Sequence, residues 1–150
     1  ETGFNKLRFE EQLTALLSHH LQQHRHTAEM VSNLPPARMA TRVELYKRLS
    51  RAMDVLRSGF CGEISLDQLA AEACLSKYHF LRLFRMAYGL SPYQYIQQLR
   101  IEKARVLLAG SFMPIADLAA LLGFDNSQSF SRLFYQRMGL YPTQYRLRSK

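Results

Sequence analysis

Apolar residues recur along this chain at the three- and four-residue intervals that mark one face of a helix. Leu13, Leu16, Leu17 and Leu21 form the first stripe, which predicts a helix from about Asn5 to His26. Pro35 and Pro36 then break the pattern. A second stripe, Leu45, Leu49, Ala52, Met53 and Leu56, predicts a helix from near Thr41 to Ser58-Gly59. Ser65 suits the N-cap of a short helix that turns Leu66, Leu69 and Ala70 inward. β-branched residues are sparse and no alternating, strand-like pattern persists. The chain reads as all-α.

The second half of the pattern repeats. Ile64–Leu75 aligns with Met113–Phe124, and Leu69-Ala70-Ala71 matches Leu118-Ala119-Ala120. One residue further on, Phe80, Arg82-Leu83-Phe84, Gly89-Leu90, Pro92, Gln94 and Tyr95 match Phe130, Arg132-Leu133-Phe134, Gly139-Leu140, Pro142, Gln144 and Tyr145. These are twelve identities in 32 aligned positions, where ordinary residue frequencies give about two by chance. Two copies of one helical unit account for this.

Each copy is a short helix, a tight turn and a second helix, the layout of a helix-turn-helix. In the first copy the helices are Leu66–Ala73 and Lys77–Tyr88, with Ser76 as cap. In the second they are Ile115–Leu122 and Ser127–Met138, joined by Gly123-Phe124-Asp125-Asn126. Gly123 suits a turn that needs positive φ, and Cys74 is the small residue in its place. Phe80, Leu83, Phe84 and Ala87 share one face of the first copy's second helix, and Tyr78, Leu81, Arg82 and Arg85 the other. In the second copy Phe130, Leu133 and Phe134 face inward; Gln128, Ser131, Arg132 and Tyr135 face outward. Between the copies, Pro92–Leu108 predicts a stiff connecting helix of roughly 24 Å, with Ser91 as cap.

Composition sharpens this picture in one respect. Residues 1–40 and 41–75 are each electrically balanced, whereas residues 76–150 hold eleven basic and three acidic residues. The whole net charge of +8 therefore lies in the second half of the chain. It is either a solvated basic surface or a footprint for phosphates. Outward arginine and glutamine side chains fit the second reading, because they present the hydrogen-bonding forks that base edges accept.

The stretches LSKYHFLRLFRMAYGLSPYQYIQQLRIEKARVLL and IADLAALLGFDNSQSFSRLFYQRMGLYPTQYR resemble the DNA-binding domain of the AraC/XylS family of bacterial transcription regulators. The likeness covers about Thr41–Arg146. Its most specific part is Gly123-Phe124, then Ser129, Phe130, Arg132 and Phe134, then Gly139, Pro142, Tyr145 and Arg146. The resemblance implies seven helices in two tandem modules on double-stranded DNA. It implies base contacts from Tyr78, Leu81 and Arg82 in the first recognition helix, and from Ser127, Gln128, Ser131 and Arg132 in the second. Lys77, His79 and Arg85 are then expected at phosphates. Leu81 departs from the polar residues usual there; it meets a thymine methyl or faces solvent. The resemblance also implies activation through RNA polymerase as the commoner role, and an effector-binding or dimerisation domain upstream. Residues 1–36 are thus expected to be the tail and linker of that preceding domain, and 41–150 the DNA-binding domain. The opening at Glu1, with no methionine, fits a piece of a longer protein. The helix near Leu16 either pairs with a second copy as a homodimer or packs on its own domain.

Other functions are poorly served. There is no Gly-rich phosphate loop, no G-x-S-x-G, no H-E-x-x-H and no carboxylate pair, so no enzyme and no cofactor are expected. His20 and His24 have a metal-ligand spacing but are only two ligands; a polar His/Gln tract explains them as well. A protein-interaction module would account for amphipathic helices but not for the paired outward arginines. Two cysteines, Cys61 and Cys74, make no disulfide framework and point to a reducing intracellular setting; the resemblance implies the cytoplasm, at the nucleoid. The longest uncharged stretch, Met86–Leu99, is broken by Gly89 and Pro92 and is too short for a membrane span.

Overall fold

The computed structural model describes residue 25 and residues 27–35 and 38–149. The helix expected over Asn5–His26, with its leucine stripe and the histidines at 19, 20, 24 and 26, lies outside the described residues apart from Arg25. What is described is helical: a segment at 27–32, then α1 (Met39–Gly59), α2 (Leu66–Glu72), α3 (Lys77–Tyr88), α4 (Pro92–Gly110), α5 (Ile115–Leu121), α6 (Ser127–Met138) and α7 (Pro142–Arg148). The all-α, two-module expectation holds, with boundaries displaced by a residue or two. α1 begins at Met39, ahead of Thr41, and α4 runs on to Gly110.

The local signals do what their chemistry dictates. Ser65 Oγ accepts the Gln68 N–H at 3.1 Å. Ser91 and Gln94 close a reciprocal capping box in front of Pro92. Gln144 Oε1 accepts the Tyr141 N–H in the same register ahead of Pro142, so the repeat extends to how α4 and α7 begin.

Two cores sit side by side. The first gathers Leu49, Ala52, Met53 and Leu56 of α1, Leu69 and Ala70 of α2, Phe80, Leu83, Phe84 and Ala87 of α3, and Ile96 of α4. The second gathers Ile101, Ala104 and Leu108 of α4, Leu118 and Ala119 of α5, Leu122 after it, and Phe130 and Phe134 of α6. Their aromatic centres are near copies. The Phe80–Phe84 rings are 5.4 Å apart at 55°, and Phe130–Phe134 are 5.7 Å apart at 56°. Phe84 and Phe134 each meet the edge of the matching tyrosine, Tyr95 or Tyr145. All four phenylalanines are fully buried, each contributing about 1.5–3 kcal/mol by leaving water. α4 belongs to both cores, through Ile96 at one end and Ile101–Leu108 along the rest.

The chain just before Pro35 packs against the first module. Leu34 is buried within the first core, Met30 and Val31 are buried close by, and Arg42 Nε donates to the Pro35 carbonyl at 3.3 Å. The helical segment at 27–32 ends before Pro35, and the chain there lies against α1.

Tyr88, at the end of α3, is half-buried among Tyr46 and Ser50 of α1 and Tyr95 of α4. Desolvation pushes its phenol up to about 12, partly offset by a hydrogen bond with Ser50. Below pH 10 the phenol is protonated in both folded and unfolded chains. Between pH 10 and about 12 the unfolded phenol ionises first, so the stabilisation is lost as pH rises through that window. Denaturant midpoints of the native chain should therefore fall more steeply across this window than those of Tyr88→Phe; parallel curves would refute the assignment.

Candidate nucleic-acid interface

Each recognition helix stands on a turn of the same construction. In the first, the Leu75 N–H donates to the Ala70 carbonyl at 3.0 Å and the Cys74 N–H to Ala71 at 2.9 Å. In the second, Phe124 donates to Ala119 and Gly123 to Ala120, both at 3.0 Å. This is the paired closure of a Schellman turn, which needs a left-handed residue at its corner. Gly123 supplies it with φ 78°, and Cys74 adopts it with φ 51° despite its side chain. Side chains then cap the next helix. Ser76 Oγ accepts the His79 N–H at 3.4 Å, and Asn126 Oδ1 accepts the Ser129 N–H at 2.8 Å.

On α3 the structure places Lys77, Tyr78, His79, Leu81, Arg82 and Arg85 at the surface, with Tyr78 72% exposed. On α6 it places Gln128 and Arg132 there. Ser127 and Ser131, expected to face outward, are half-buried. They lie on a stripe that continues through Phe134 to Met138, at the edge of the buried face. Leu81 occupies the matching edge of α3, only 38% exposed. It lines an apolar hollow of about 250 Å³ with Leu66, Leu69, Pro92 and Tyr93. Tyr135, also expected outward, is exposed and stacks on Tyr141 at 4.6 Å.

The expected cations differ in freedom. Lys77 Nζ lies 2.7 Å from Asp67 Oδ1 of α2, and the His79 ring is held 2.9 Å from the Ser76 hydroxyl. Arg82, Arg85 and Arg132 enter no ion pair among the described residues. They project as uncompensated charges from the two outer faces.

Sequence reasoning missed the arginines that brace the modules. Arg57 of α1 donates to the Tyr95 hydroxyl at 3.1 Å, and Arg105 of α4 to the Tyr145 hydroxyl at 3.4 Å. The tyrosines are repeat-equivalent, so the repeat reaches back into α1 and α4. Arg146 donates to the Met113 carbonyl at 2.5 Å. Arg100 donates to three carbonyls, those of Phe60, Gly62 and Gly123. Desolvation holds its pKa below the usual arginine range, yet a guanidinium stays charged at neutral pH. Arg100, Arg105 and Arg146 thus donate to neutral groups of the chain itself, which fixes their side chains and leaves their charge in place. A signal for Arg100 was present, since Ile96, Arg100 and Ala104 lie at successive i, i+4 positions of one inward stripe.

Among the described residues no group of three or more His, Cys, Asp or Glu side chains is placed to hold a metal. No described helix is long and apolar enough to cross a membrane.

Comparison with known proteins bears on this geometry. The sequence model of a family described as a helix-turn-helix domain matches residues 69–148, just over half of the chain. The HTH-type transcriptional activator RhaR of Escherichia coli K12 is 32% identical over 126 residues, covering 84% of this chain and 42% of that protein. The DNA-binding domain of AdpA, solved in complex with a target DNA, superposes with a TM-score of 0.57 at 27% identity, covering 69% of this chain and 89% of that one. A Chromobacterium violaceum transcriptional regulator with an AraC-type DNA-binding domain shares the fold, with a TM-score of 0.63 at 24% identity over 69% of this chain and 92% of that one. The chain spans 30–58% of the length of the first curated relatives it matches.

Proposed function

Because the chain belongs to the AraC-type helix-turn-helix family of DNA-binding transcription regulators, we propose that it reads duplex DNA by placing α3 and α6 in two successive major-groove segments. The observation that carries this reading is the matched presentation of Arg82 and Arg132. Both are exposed and enter no ion pair among the described residues, each on a helix held by the same turn.

In this reading Tyr78, Leu81 and Arg82 meet bases in one half of the site, and Ser127, Gln128, Ser131 and Arg132 in the other. The edge positions of Leu81, Ser127 and Ser131 give them shorter reach than the arginines. Lys77, His79 and Arg85 bind phosphate. Lys77 exchanges Asp67 for a phosphate oxygen at little cost, because both partners of that pair are more than half exposed. The DNA-binding unit comprises residues 41–150 together with the segment around Leu34, and residues 1–26 belong with a preceding domain or a dimer contact. The chain works in the cytoplasm by binding and not by catalysis. RNA polymerase is its partner at promoters, and activation, the role carried in RhaR's name, is its output.

A salt titration tests the core of this. The logarithm of affinity for random duplex should fall linearly with the logarithm of salt, at about −0.9 for each phosphate neutralised. A flat response would overturn the nucleic-acid reading.

A further inference from the structure

We infer that Arg100 fixes the distance and phase between the two recognition helices, and so sets the half-site spacing that the domain accepts; this rests on the DNA-reading role proposed above. Arg100 sits midway along α4 and its guanidinium reaches into both modules. On the side of the first module, Nε donates to the Phe60 carbonyl at 2.7 Å and one terminal nitrogen to the Gly62 carbonyl at 3.1 Å. On the side of the second, the other terminal nitrogen donates to the Gly123 carbonyl at 2.6 Å. The plane lies over the Phe124 ring, 5.5 Å from its centre, and that ring packs on Phe130 in the second core.

The acceptors sit where displacement matters most. Gly123 is the corner of the turn four residues ahead of α6. The loop that holds Phe60 and Gly62 straddles the modules: Phe60 packs on the first core and Cys61 on the second. A rigid planar fork holds three carbonyls in fixed directions, which a lysine ammonium on a flexible stem does not. Without the fork both apolar cores remain, but the turn that carries α6 is no longer held to the loop behind α2. On DNA, adding one base pair moves a half-site by about 3.4 Å along the axis and about 35° around it. A clasped pair of helices rejects that combined shift, whereas an unclasped pair accommodates part of it.

The test uses the full chain in three forms: native, Arg100→Lys and Arg100→Met. Lysine keeps the charge; methionine keeps much of the stem over Phe124 without any donor. Selection from random duplex with the native protein defines the two half-sites. Affinities are then measured on duplexes with the half-sites at the selected separation and displaced by one base pair either way, and on each half-site alone, with thermal melts alongside. The native chain should prefer its selected separation by about tenfold or more. Both variants should narrow that preference to about threefold or less, with base preferences inside each half-site and half-site affinities retained. Variants that keep the native spacing preference overturn the inference. So do variants that weaken every duplex equally in step with a lowered melting temperature, since that marks a purely structural residue. A native chain that selects no bipartite site overturns the DNA-reading role itself, before any variant is examined.

Discussion

Gly123→Ala is expected to destabilise the protein by about 3–4 kcal/mol, the sum of backbone strain and a steric conflict that cannot relax. The strain comes from φ 78°, where an L side chain meets its own following carbonyl at a cost of about 1–2 kcal/mol. The conflict comes from the surroundings. A Cβ at this position would lie 2.4 Å from the Cys61 carbonyl oxygen and 2.7 Å from a terminal nitrogen of Arg100. The carbonyl belongs to backbone and does not swing aside, and moving the guanidinium breaks its bonds to Phe60, Gly62 and Gly123. The equivalent corner in the first module behaves oppositely. Cys74 is exposed and already left-handed, so Cys74→Gly should stabilise by about 0.5–1 kcal/mol, strain relief outweighing the entropy of glycine. Urea unfolding of the two variants measures both effects. Two midpoints indistinguishable from the native one would mean that neither turn is held as described.

The next largest effects concern recognition. Arg82 and Arg132 lie two residues beyond Phe80 and Phe130, both fully buried. Two steps of about 100° carry the arginines to the far side of each helix. A bidentate arginine–guanine contact is worth about 1–3 kcal/mol of discrimination. Arg82→Ala should therefore relax base preference in one half of the selected site and Arg132→Ala in the other. Neither should disturb folding, since both side chains are exposed and outside any ion pair among the described residues. Arg148→Ala, exposed at the end of α7, should lower affinity for every sequence alike and serves as the control. A base-substitution scan of the site separates the outcomes. Uniform weakening by the two recognition-helix variants would assign these arginines to phosphate, and one silent variant would leave a single module reading sequence.

The features legible in the sequence are those encoded within a few residues. The spacing of Phe80 and Phe84 and of Phe130 and Phe134 specifies which way α3 and α6 face. Ser65, Ser76 and Ser91 sit where helix starts need an acceptor, and Gly123 marks its own corner. What escaped the reading depends on partners far along the chain. Arg100 bonds to carbonyls 23 to 40 positions away; its place on the inward stripe of Ile96 and Ala104 marks it as turned inward but does not say which groups it meets. Ile101 packs inward although Arg100 beside it carries charge, because the second core reaches this side of α4. Leu34 stands just before two prolines, which announce a break in the helix but say nothing about whether the chain stays in contact. Ser127 and Ser131 lie at the margin of the buried stripe, where helical angle alone does not decide exposure.

The sharing of α4 bears on how such a chain can be recombined. In a tandem repeat joined by loops, each unit is a cassette, and cutting at the joints exchanges one unit for another. Here the joint runs through the interior of a helix, between Ile96 at its first turns and Ile101 further on. A graft that imports a foreign second module must splice within α4, keep the stripe of Ile96, Arg100 and Ala104 in register, and bring a turn whose corner offers a carbonyl to Arg100 without a Cβ in its path. The two halves are repeats in sequence and one unit in packing, so a new pairing of half-site preferences is reached more readily by changing outward side chains than by shuffling modules.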